Sequence, residues 1–174
     1  SFNAGQYDEA LTAFEALTAT DANDATAWEG KGTVELILGS QKATLGVEPT
    51  GTAKELCERA VASLQRSASL SDDALTLNNL GNAQAVLLKW SDAAESYQKS
   101  LDAALASKRD RGLASIPASN RAQVAIELGA PNFGAVVHEL RTSLTKGYQL
   151  HVLGYSLHYL LAKMVAATET ERSA

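Results

Sequence analysis

Proline and cysteine are nearly missing from this chain. Only three prolines and one cysteine stand among 174 residues. A lone cysteine cannot close an internal disulfide, which excludes a small secreted scaffold held by such bridges. Aromatic residues are sparse at 6%. No apolar run approaches the roughly 18 residues that would suggest a membrane-spanning helix. No Asn-x-Ser/Thr acceptor occurs. An excess of positive charge is also lacking: 15 Lys and Arg stand against 20 Asp and Glu, a formal net charge of −5. Nucleic-acid binders concentrate Lys and Arg on one face to meet phosphates, so this balance argues against direct nucleic-acid contact. The opening Ser1-Phe2-Asn3-Ala4-Gly5 has no basic stretch followed by an apolar one, so a targeting signal is expected outside these residues.

What is present is helical in character. Apolar residues make up 45% and charged residues 20%, a globular composition rather than a disordered one. Ala and Leu dominate and β-branched residues are few, which favours an all-α chain. The absence of internal prolines from most of the sequence removes the usual helix breakers.

Two patterns recur. Tyr7, Ala10 and Phe14 repeat the spacing of Trp90, Ala93 and Tyr97. Residues at i, i+3 and i+7 share one helical face, so each trio forms an apolar stripe with a small residue at its centre. In the second pattern a large apolar residue precedes a glycine by four positions, in Trp28–Gly32, Leu77–Gly81 and Leu150–Gly154. Glycine inside a helix costs about 1 kcal/mol relative to alanine, and a close-packed neighbouring helix would explain its use. The spacing of these marks fits a period of about 34 residues, with one insertion of about 15 placed at 39–51, around Pro49.

These residues resemble the tetratricopeptide repeat family. The resemblance rests on Gly5-Gln6-Tyr7-Asp8-Glu9-Ala10-Leu11, on Trp28 with Gly32, on Leu77-Asn78-Asn79-Leu80-Gly81-Asn82-Ala83, and on Trp90-Ser91-Asp92-Ala93. It is clear over residues 1–107 and weaker over 118–170. The departures are Ala22 and Asp72 or Asp73 where proline is usual between repeats, Lys31 where an apolar residue is usual, and the insertion. The resemblance implies an α-solenoid of about three and a half helix-turn-helix repeats, closed by a terminal capping helix, in a single domain over 1–174.

The helices are expected at Asp8–Thr18, Ala25–Leu38, Thr52–Ser69, Asp72–Leu88, Ser91–Ser107, Pro117–Leu128, Pro131–Lys146 and Gln149–Thr168. Asn23 or Asp24, then Ser71 or Asp72, then Ser91, are the candidate N-caps. Residues 1–5 read as the tail of an earlier helix, which implies further chain before Ser1.

No arrangement of residues points to catalysis. Gly30-Lys31-Gly32-Thr33 lacks the upstream glycine and the hydroxyl position of a phosphate loop. Ser143 and Lys146 have Ser-x-x-Lys spacing without companion motifs. Cys57 lies between carboxylates on an apolar stripe, the setting of a buried structural thiol. His151 and His158 are a helical rise of about 10.5 Å apart, too far to hold one metal directly. His138 could approach one of them, and a metal- or ligand-binding domain built on His138, His151 and His158 is the least favoured reading. No cofactor is expected.

The resemblance implies that the first helix of each repeat lines a concave groove. The groove candidates are Glu29, Thr33, Asn78, Asn82, His151, Tyr155 and His158. Amides can pair with a peptide backbone, and tyrosine supplies contact area with a polar tip. Family members that clamp acidic chaperone tails use Lys, Arg and Asn; Asn78, Asn79 and Asn82 supply the amides here, but no cation stands at the matching places. The expectation is a non-catalytic scaffold or adaptor inside the cell, in a compartment the residues do not name. It would take an extended peptide or a helix of a protein partner while supporting a larger complex. The alternative is a permanent structural subunit of a multiprotein assembly.

Overall fold

In the computed structural model the described residues are 4–44, 46–107 and 111–128. They form six α-helices: α1 (Ala4–Thr20), α2 (Ala25–Lys42), α3 (Gly51–Leu70), α4 (Ala74–Val86), α5 (Trp90–Ala106) and α6 (Ser115–Glu127). A single turn of 3-10 helix, Arg111–Ala114, precedes α6. Each helix packs on the next, and α2, α4 and α6 also touch in series. That contact pattern is an all-α, tetratricopeptide-like solenoid. The helices α2–α3 and α4–α5 are complete hairpins, α1 packs on the first of them, and α6 adds to the second. The helices expected at Pro131–Lys146 and Gln149–Thr168, the latter as the cap, lie outside the described residues.

The glycine spacing has a direct physical cause. A Cβ on Gly32 would stand 2.6 Å from Cγ of Leu64 on α3, and one on Gly81 would stand 2.5 Å from the ring of Tyr97 on α5. Both glycines are notches through which a hairpin partner's large side chain passes. Ala60 and Ala93 are fully buried at similar crossings. Leu36, Leu64, Leu80 and Ala83 join α2, α3 and α4 in one apolar cluster, and Tyr97 with Val124 carries the apolar contact on to α6. Burial of each leucine in that cluster contributes about 1.5–3 kcal/mol.

Several boundaries differ from the sequence expectation. The α1 helix begins at Ala4 and runs unbroken through Gly5–Tyr7, so Asp8 and Glu9 do not occupy a first turn. The α2 helix continues past Leu38 to Lys42, which shortens the connector from 39–51 to 43–50. Gly39 is not a breaker there but a third notch, since a Cβ would lie 2.6 Å from Sγ of Cys57. Cys57 is fully buried, and burial pushes its thiol pKa up, which keeps it protonated.

Of the cap candidates, Asp24 accepts the amide of Ala27 at 2.9 Å. Asp73, rather than Ser71 or Asp72, accepts that of Thr76 at 2.9 Å. Ser91 caps nothing, because α5 already starts at Trp90, after Leu88 has turned the chain with φ +57°. Pro117 falls inside the first turn of α6, two residues after its start, where a missing N–H is tolerated.

Candidate binding groove

The helices α2, α4 and α6 each present one face to a common hollow. On α2 that face carries Thr33, Leu36, Ile37 and Ser40, at i, i+3, i+4 and i+7. On α4 it carries Asn79, Asn82 and Val86, and on α6 Asn120, Gln123 and Val124. Trp90 and Tyr97 of α5 close the floor, giving a groove of about 520 Å³. Its lining is mostly apolar, with amides spaced along it.

The amides form a connected row. Asn79 Nδ2 donates to Thr33 Oγ1 at 3.3 Å, linking α4 to α2. The Tyr97 hydroxyl donates to Asn82 Oδ1 at 2.8 Å, and Asn120 Nδ2 donates to the same oxygen at 3.3 Å and to Asn78 Oδ1 at 3.0 Å. Burial pushes the Tyr97 phenol pKa well above its usual range, so it remains a donor at physiological pH. With its oxygen doubly engaged, Asn82 offers a groove occupant only its amide N–H groups. Those groups would meet a carbonyl or carboxylate oxygen.

The sequence candidates are distributed unevenly. Thr33 and Asn82 line the groove. Asn78 does not: it is 5% exposed and sits in the seam with Ala74, Ser100, Ala104 and Pro117. Asn79, its neighbour, takes the groove position. Glu29 is half-buried outside the groove, and its carboxyl pKa is raised, first by burial and then by the negative charge of Asp73. His151, Tyr155 and His158, as well as His138, lie outside the described residues.

Other organising residues had little sequence signal. Glu35 interrupts the apolar run Val34–Leu38, and that interruption was the only hint. It is fully buried and accepts Arg59 Nε at 2.9 Å and Ser63 Oγ at 2.8 Å. Arg59 also bonds Glu15 on α1, so one guanidinium ties α1, α2 and α3. Asn120 stands in no recognisable motif; only the folded position of α6 brings it to Asn78 and Asn82.

Comparison with known proteins gives two separate likenesses. Residues 120–173 match the family model described as the U3 small nucleolar RNA-associated protein 20 domain. A Schizosaccharomyces pombe protein named U3 small nucleolar RNA-associated protein 20 is 51% identical over 55 residues, which cover 30% of this chain and 2% of that protein. The chain thus spans a very small part of that relative. The family match falls on the segment read above as weaker repeats. A solved structure, that of MamA, aligns with a TM-score of 0.56 at 15% identity, over 98% of this chain and 93% of that one. That likeness concerns the fold, a tetratricopeptide-like solenoid.

Proposed function

We propose that this chain is a non-catalytic scaffold that holds a protein segment in the groove of α2, α4 and α6 within a larger assembly. The groove itself carries the reading. It is long enough to follow three helices and offers apolar surface for side chains. The N–H groups of Asn82 can answer backbone carbonyls. The helical-repeat fold supports a binding role through a surface rather than a reaction centre.

The likeness of residues 120–173 to a domain named for association with a small nucleolar RNA supports membership of an intracellular, RNA-containing complex. The chain's own charge of −5 favours contact with protein components of such a complex over contact with the RNA.

The test is affinity capture with the native chain and with Ser40→Arg/Asn79→Ala. Ser40 is exposed at the groove wall, so the arginine fills the groove without entering the core. The expected result is loss of a protein retained by the native chain, with helicity unchanged by circular dichroism. Equal retention by the variant rejects the groove as the contact.

A further inference from the structure

A second trough lies on the opposite side of α4. Leu77, Leu80 and Gln84 line it, and helical spacing sets them about half a turn from Asn79, Asn82 and Val86. Its walls are Gln65 and Ser69 of α3, and Asp92, Glu95 and Lys99 of α5, with Asp72 at the turn into α4. The volume is about 550 Å³, comparable to the groove on the other face, but the lining is far more polar.

Two features of this trough bear on what it can hold. Gln84 is only 6% exposed. Its Oε1 accepts the Ser96 hydroxyl at 2.7 Å, yet its amide nitrogen meets no acceptor among the described residues. The nitrogen lies on the wall of the open trough, where it can donate to an acceptor that enters. The second feature is charge. Glu95 is neutralised by Lys99 at 2.7 Å, while Asp72 and Asp92, both at helix starts, make no ion pair among the described residues. The rim therefore keeps a net negative charge, above Leu77 and Leu80, which are themselves buried in the core.

We propose that this trough between α3 and α5 docks a lysine- or arginine-bearing protein segment. A backbone carbonyl of the segment accepts from the Gln84 amide. Its cationic side chains lie against Asp72 and Asp92. RNA is disfavoured by the same carboxylates, which repel phosphate. The site is independent of the groove on the other face of α4, so one chain can hold two partners back to back.

The experiment is fluorescence anisotropy with a labelled, end-capped peptide of alternating lysine and alanine. A glutamate–alanine peptide and a short single-stranded RNA serve as comparison probes. The native chain should bind the lysine peptide saturably and neither of the others. Asp72→Asn/Asp92→Asn should weaken it about fivefold, and Lys99→Gln, which frees Glu95, should tighten it about twofold. Gln84→Met, similar in volume but without the donor, should weaken it about fivefold. Ser40→Arg/Asn79→Ala should leave it unchanged. The control Asp8→Asn/Glu9→Gln removes two exposed carboxylates from α1; if it weakens binding as much as the Asp72/Asp92 pair, the attraction is diffuse and the trough is not the site. Saturable RNA binding lost in Asp72→Asn/Asp92→Asn, or an unchanged affinity in both Gln84→Met and Lys99→Gln, also overturns the proposal. Should Gln84→Met unfold, Lys99→Gln and the aspartate pair still decide it.

Discussion

Arg59 holds the carboxylate of Glu35, which has no exposure to solvent, through a 2.9 Å bond from its guanidinium. The arginine itself is 47% exposed on its side chain, so water reaches one end of the pair and not the other. Removing the two partners should therefore have unequal effects. Arg59→Met leaves a buried carboxylate with only Ser63 to satisfy it, and should lower unfolding free energy by about 2–3 kcal/mol, less than a fully buried pair because the site is half open. The double variant Glu35→Leu/Arg59→Met should recover most of that loss. Urea unfolding followed by circular dichroism measures both. A double variant weaker than Arg59→Met alone contradicts this account.

Gly81 faces the Tyr97 ring at a hypothetical Cβ distance of 2.5 Å. The ring cannot swing away freely, because its hydroxyl is bonded to Asn82. Gly81→Ala gains about 1 kcal/mol of helix propensity but meets an overpacking cost of about 1–3 kcal/mol. The expected outcome is a lower melting temperature, partly restored in Gly81→Ala/Tyr97→Leu because the two changes share one contact. A melting temperature above native for the single variant would show that the notch has slack.

Glu29 offers a pH readout. Its folded-state pKa is raised from 4.5 by burial and by Asp73, so the native protein holds the proton more tightly than the unfolded chain does. Its contribution to stability is complete below the unfolded pKa and is lost as pH rises through the folded value. Glu29→Gln should thus melt higher than native at pH 7, and the advantage should shrink as pH falls through the raised folded value and be gone by about 4.5. Thermal melts across that range check it. A constant difference at all pH values would assign the effect to something other than ionisation.

The repeat was legible because its signals are local. A notch glycine with a large residue four positions earlier, and an aromatic–Ala–aromatic stripe, each express one helix crossing, and Gly32, Gly81 and Ala93 sit where that logic puts them. Gly39 was misread because notch and breaker look alike in sequence; only Cys57, across the hairpin, distinguishes them. The site was less legible for a related reason. Asn78 and Asn79 are adjacent, and the orientation of α4, which sets neighbouring residues about 100° apart, decides which faces the groove. Glu35, Arg59 and Asn120 gain their roles from residues dozens of positions away, which no window along the chain contains.

The connector 43–50 joins α2 to α3 at one end of their hairpin, and its described residues are largely exposed apart from Pro49. Gly46 and Gly51 adopt φ of +75° and +53° with open space around them. Lengthening such a loop twofold costs only about 0.6 kcal/mol of closure entropy. The hairpin is held by Leu64, Cys57 and Arg59 across the helix pair rather than by the link between them. This bend is therefore a natural port in the molecule: a tag, a reporter domain or a new chain terminus could be grafted there while the groove and the trough keep their shape.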